Sequence, residues 1–151
     1  MHSRNDVEKA LRDGDLAYHS LETKEGGWAI VVPELGAKVL AAGTDRENLF
    51  WTPQKLEKEA WCAGGQRTWL APELGGTGFF GTTADDWKVP AELDPGSYRI
   101  VEPSGSGLSF RNDFTINRLD GRPYSLRLVR SLRLETVSEG SGRPGLTLQI
   151  T

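Results

Sequence analysis

Tyr124-Ser125-Leu126-Arg127-Leu128-Val129-Arg130-Ser131-Leu132-Arg133-Leu134 is the stretch that decides the fold of this chain. Successive side chains of a strand point to opposite faces, so a period of two separates a buried face from a wet one. Leu126, Leu128, Leu132 and Leu134 share one face, and Arg127, Val129 and Arg133 share the other. A helix would scatter these leucines around its axis, so the spacing predicts a long β-strand. Arg130 lies on the face opposite Arg127 and Arg133, and the three arginines read as charged strand exterior rather than as a nucleic-acid patch.

The same period continues on both sides. Tyr98–Glu102 and Leu108–Arg111 read as a strand pair around Pro103-Ser104-Gly105-Ser106-Gly107, and Phe114–Leu119 follows. Asp120-Gly121 is a hairpin signal leading into Tyr124. After the polar turn 138–144, Leu146, Leu148 and Ile150 alternate again. Upstream, Leu16–Thr23, Trp28–Val32 and Lys38–Ala42 are short β-rich runs punctuated by Gly26-Gly27 and Pro33-Glu34-Leu35-Gly36. Ser3–Arg12 reads as a helix, with Ser3 and Asp6 placed as a capping pair, Val7, Ala10 and Leu11 on one face, and Gly14 as its stop. Thr52-Pro53 predicts a second, brief helical turn through Glu59. The expected fold is all-β, an antiparallel β-sandwich with a short N-terminal helix, in a single β-rich domain over residues 1–151. The alternation running to the last residues leaves an open sheet edge, expected to pair with another segment or chain.

Composition narrows the function classes. The chain has 151 residues, 26% of them charged and 37% hydrophobic, and a formal charge of −3 with both signs interspersed. That balance provides no electrostatic footprint for nucleic acid or for an anionic membrane surface. No apolar run is long enough for a transmembrane helix, and the charged first fifteen residues do not resemble a signal peptide. A single cysteine, Cys62, reads as a small packing residue, excludes an internal disulfide and points to a cytoplasmic setting. With only His2 and His19 as histidines, no metal cluster or Ser-His-Asp arrangement is expected, and His19 reads as a strand residue. No cofactor is expected either.

Between Cys62 and Pro95 neither period holds, yet the segment is rich in Trp, Phe, Gly and Pro, which predicts an ordered binding loop. Its densest part is Gly64-Gly65-Gln66-Arg67-Thr68-Trp69-Leu70-Ala71-Pro72-Glu73. Arg67 supplies a planar fork of donors, Trp69 an apolar face and Glu73 an acceptor, and Trp87 is placed to line the same cleft or to anchor the loop. These four residues are the candidate ligand-binding set, suited to a small polyhydroxylated molecule; no catalytic residue is assigned. Gly76-Thr77-Gly78-Phe79-Phe80-Gly81 fits the dinucleotide pattern formally, but no strand precedes it and no helix follows. Asp85-Asp86 reads as a solvated turn rather than an acid/base dyad.

Several of these patches resemble the galactose mutarotase-like superfamily, which includes the aldose 1-epimerases. The similar segments are Pro33-Glu34-Leu35-Gly36-Ala37-Lys38-Val39, Asn48-Leu49-Phe50-Trp51, Gly64 to Glu73, Trp87-Lys88-Val89-Pro90 and Leu93-Asp94-x-Gly96-x-Tyr98. As a succession of elements the resemblance covers roughly residues 15 to 151. It implies a carbohydrate-binding protein whose chain forms the N-terminal half of a longer β-supersandwich and provides one wall of a sugar cleft. It also implies epimerase chemistry by a histidine acid and a glutamate base on later strands. Nothing after His19 is a histidine, so that chemistry requires a C-terminal half beyond residue 151, and the chain alone is expected to be inactive. The alternative expectation is a non-catalytic carbohydrate-binding or assembly module.

Overall fold

The computed structural model describes residues 3–45, 47–58, 63–104, 107–138 and 144–150. Cys62 lies outside the described residues. The chain starts with helix α1 (Arg4–Asp13), then runs through β1 (His19–Glu22), β2 (Gly27–Val32), β3 (Lys38–Thr44) and β4 (Glu47–Asn48). A 3-10 turn at Pro33–Leu35 separates β2 from β3. The second half carries β5 (Arg99–Ser104), β6 (Gly107–Asn117), β7 (Pro123–Ser138) and β8 (Pro144–Ile150). Both sheets are antiparallel and four-stranded, in the orders β1-β2-β3-β4 and β5-β6-β7-β8. The expected all-β sandwich with a short N-terminal helix is therefore the observed fold.

Helix α1 forms where its caps and apolar spacing agree. Ser3 Oγ accepts from the Asp6 amide, Asp6 Oδ2 accepts from the Ser3 amide at 2.9 Å, and Gly14 closes the other end. Val7 and Leu11, one turn apart, are its buried residues. Replacing Ser3 by alanine removes one of the two reciprocal bonds and is expected to cost about 1 kcal/mol, read as a lower denaturation midpoint with an unchanged slope.

The first sheet is covered on both faces, and this explains why Trp28–Val32 reads as a continuous apolar run with no alternation. All six residues of β2 are buried. One face packs Trp28, Ile30, Val32 and Leu40 against Val7 and Leu11 of the helix, with Leu35 and Leu56. The other packs Leu21, Ala29, Val31 and Val39 against Leu108, Phe110, Leu132 and Leu134 of the second sheet.

Three details differ from the sequence expectation. Thr52 caps no helix: residues 52–58 are irregular, Thr52 is buried, and its hydroxyl accepts from Asn48 Nδ2. Leu56 alone in that stretch enters the core, too little apolar surface to hold a helix against a sheet. The strands expected at Leu108–Arg111 and Phe114–Leu119 are one strand, β6, eleven residues long. Arg130 is not strand exterior; it sits 2% exposed on the leucine face of β7.

Strand length positions the loop. At about 3.3 Å per residue, the sixteen-residue β7 and eleven-residue β6 far outrun the six- and seven-residue β2 and β3. The second sheet therefore projects past the first, and its inner face there needs another cover. The connection 63–98 supplies it. Phe80, Val89 and Leu93 are buried, with Trp69, Leu70, Phe79 and Trp87 packed around them against Phe114 of β6 and Leu128 of β7. Among the described residues, no helix is long and apolar enough to cross a membrane.

Candidate functional site

The connection enters the structure through Gly65 and Gln66. Gly65 has φ +69°, the left-handed region, and a Cβ there would lie 2.3 Å from the Val39 carbonyl oxygen and 2.8 Å from Leu40 Cα. Only glycine permits this approach of loop to strand. The next residue completes it: Gln66 donates its amide to the Val39 carbonyl at 2.9 Å and accepts from the Val39 amide at 3.1 Å. The segment is thus fastened to β3 immediately before Arg67.

The Gln66 side chain ties the same point to the second sheet. Arg130 Nη2 donates to Gln66 Oε1 and reaches the Gln66 carbonyl at 3.5 Å, while Gln66 Nε2 donates to the Arg67 carbonyl at 3.0 Å. Arg130 Nε and Nη1 are buried with no protein acceptor among the described residues. Burial pulls the Arg130 guanidinium below its ordinary value, and the charges of Tyr98 and Asp94 oppose that shift. Burial likewise raises the Tyr98 phenol, whose hydroxyl donates to the Leu93 carbonyl at 3.1 Å. Keeping a guanidinium here carries a desolvation cost on the order of several kcal/mol, which its contact to Gln66 partly offsets.

Arg67 then turns toward a buried carboxylate. Asp94 Oδ2 lies 3.0 Å from Lys38 Nζ and 3.4 Å from Arg67 Nη1. The Lys38 side chain is fully buried and that of Asp94 is 7% exposed. Asp94 projects from an irregular π-helical turn, Glu92–Gly96, in which its own backbone is extended, at φ −145° and ψ 111°. Opposite it is Gly36 at φ +80°, where a Cβ would come within 3.0 Å of Asp94 Oδ1. The Ala71–Pro72 and Asp94–Pro95 peptide bonds are cis.

From this anchor the Arg67 guanidinium lies over the Trp69 ring, 5.1 Å from its centroid. Trp69 packs on Phe80 at 4.7 Å and stacks with Trp87 at 6.1 Å and 28°; Phe80 stacks with Trp87 at 5.9 Å and 21°. Trp87 Nε1 in turn donates to Glu73 Oε2 at 3.1 Å, which orients the carboxylate. Arg67, Trp69, Glu73 and Trp87, with Leu74 and Ala84, line one open cleft of about 700 Å³.

The four residues singled out in the sequence are therefore brought together in one place. Trp69 and Trp87 each do both things that sequence left open, since they pack the loop core and also line the cleft. With Arg67 on one side and Phe80 on another, Trp69 offers the cleft only part of its ring. Lys38, Gln66, Asp94 and Arg130 escaped the sequence reading as parts of the site. Parity alone could have found Arg130, because it falls in step with Leu126, Leu128, Leu132 and Leu134.

The other motifs resolve as turns. Gly76 to Gly81 forms an irregular loop in which the Gly75 amide donates to the Gly81 carbonyl at 3.1 Å, with no helix following to receive a phosphate. Asp86 accepts from the amides and hydroxyls of Thr82 and Thr83, an arrangement led by the Thr82 hydroxyl that holds its carboxyl well below the usual range. His19 packs near Phe110, at 6.1 Å between rings, and does not line the cleft. Among the described residues, no group of three or more His, Cys, Asp and Glu side chains could hold a metal ion.

Fold and cleft together define an antiparallel β-sandwich protein with an aromatic cleft built on its inter-sheet connection. Residues 9–149 match DUF6786, a family of unknown function, and the chain belongs to that family. No curated protein and no solved structure matches it.

Proposed function

We propose that this chain binds a carbohydrate in the cleft formed by Arg67, Trp69, Glu73 and Trp87, as one wall of a sugar site of the mutarotase-like kind. One observation carries the reading: residues spread over twenty positions of an irregular connection converge on a single cleft with an aromatic floor, one guanidinium and one oriented carboxylate. Apolar surface for the C–H face of a sugar and a few fixed polar groups for its hydroxyls are what a small polyol requires. A volume of about 700 Å³ accommodates a mono- or disaccharide.

The proposed role is binding and orientation. Epimerase chemistry would add a proton donor at the ring oxygen and an acceptor at the anomeric hydroxyl. Those groups would come from a further segment or chain. The single cysteine fits a cytoplasmic setting.

Titration calorimetry against D-glucose, D-galactose, N-acetyl-D-glucosamine, cellobiose and lactose tests the reading. At least one sugar is expected to bind, and both Arg67→Ala and Trp69→Ala to weaken it about ten-fold or more, the loss of one charge-assisted or stacking contact. Absence of binding across the panel would sink the proposal, as would binding that ignores both substitutions.

A further inference from the structure

We propose that Asp94 is the positioning residue of the cleft: fixed by Lys38 and the turn at Gly36, it holds the Arg67 guanidinium in place over Trp69. The inference rests on the reading of this cleft as the binding site. An arginine on an irregular connection has several rotatable bonds, and ordering it costs side-chain entropy. A cleft in which that cost is met before the ligand arrives binds more tightly than one in which the ligand must meet it.

The structure supplies what such preorganisation needs. Asp94 Oδ2 sits between Lys38 Nζ at 3.0 Å and Arg67 Nη1 at 3.4 Å, so the two cations meet on one oxygen. Lys38 is the fully buried partner, carried on β3 in the middle of the sandwich. It gives the carboxylate a fixed seat in the fold. Gly36 keeps the other oxygen close, since a side chain there would press on Oδ1. Arg67 reaches this seat with its side chain 18% exposed, one end against Asp94 and its guanidinium carbon over the Trp69 ring. Asp94 does not line the cleft, so its effect on a ligand passes through Arg67.

Positioning is separable from simple stabilisation by exchanging the buried pair rather than breaking it. Lys38→Met/Asp94→Leu replaces two buried charges by apolar groups of similar size, an exchange that is often neutral or stabilising. The ligand-free readout is the mobility of the Arg67 side-chain Nε–H by ¹⁵N relaxation, assigned with an Arg67→Lys variant. Expected is a rigid Arg67 in the wild-type protein and a flexible one in the folded double variant. D-glucose and D-galactose serve as binding probes. Affinity is expected to fall about ten-fold in the double variant, and by no more than in Arg67→Ala when the three changes are combined. A folded double variant with a rigid Arg67, or with wild-type affinity, overturns the proposal. Should the double variant not fold, Asp94→Asn is read in the same way; if neither folds, Asp94 only holds the fold together and the positioning role is wrong. Failure of both sugars to bind counts against the binding reading alone, because the relaxation measurement still decides the role of Asp94.

Discussion

Asp94→Ala is expected to destabilise the protein by about 3–5 kcal/mol, the loss found when one member of a buried ion pair is removed and the other is left in the interior. The penalty comes from Lys38, whose ammonium is fully buried and keeps no carboxylate at the Asp94 position. For a chain of this size each kcal/mol shifts the melting temperature by roughly 2–4 °C, so the midpoint should drop by about 6–20 °C in a calorimetric scan. The loss is expected to be far greater than for Arg127→Ala or Arg99→Ala. Those arginines bond to Asp113 on the exposed outer face of the second sheet, where water competes. A drop of under 1 kcal/mol for Asp94→Ala would mean that water or another group reaches Lys38 readily. In the Lys38→Met/Asp94→Leu variant the penalty should be smaller, since neither member of that pair remains as a buried charge.

Gly65→Ala is the second large effect. An L-residue at φ +69° costs roughly 1–2 kcal/mol, and the added methyl would overlap the Val39 carbonyl oxygen and the backbone of Leu40. The overlap involves main chain on the strand side, which cannot rotate away. Relief therefore requires the connection to lift off β3, breaking the two hydrogen bonds between Gln66 and Val39. The total is expected to be about 3 kcal/mol or more. Sugar binding should be lost as well, because Arg67 follows directly. Gly121→Ala is the control: it shares the left-handed backbone, at φ +80°, but has open space around the position. Its cost should be confined to the conformational part. Equal losses for the two variants would argue that the close approach of Gly65 to the strand has no energetic weight.

Much of the scaffold is legible in the sequence because it follows local rules. Ser3 and Asp6 sit at the spacing of a capping box, and the two groups bond reciprocally. The leucines of β7 keep a strict period of two, and Leu132 and Leu134 are buried against the first sheet. Gly64 to Glu73 stands out by composition alone, with a glycine pair, an arginine, a tryptophan and a carboxylate in ten residues. What stays hidden is pairing at a distance. Lys38 opens a strand that looks purely structural, and Asp94 sits in a Pro-containing turn; nothing periodic links them. The charge of Arg130 suggests strand exterior, but a strand with leucines at 128 and 132 turns residue 130 inward with them. Thr52-Pro53 shows the reverse error, a good local start signal in a segment where, among the described residues, Leu56 alone joins the hydrophobic core.

Each sheet is a meander whose neighbouring strands follow one another along the chain, so each can zip up from its own hairpins. The cleft has no such shortcut. Its supports link Gln66 to Arg130 across sixty-four positions, and Lys38 to Asp94 across fifty-six. Closing those loops is entropically expensive until the two sheets have met. Assembly is therefore expected to follow an order: hairpins first, sandwich second, cleft last. In reverse, the Gln66 amide should exchange with solvent deuterium faster than the amides of β2 and β6, by local opening that leaves both sheets intact. The segment proposed to bind a ligand would then open before either sheet does, and ligand binding would be recorded first as slower exchange at Gln66.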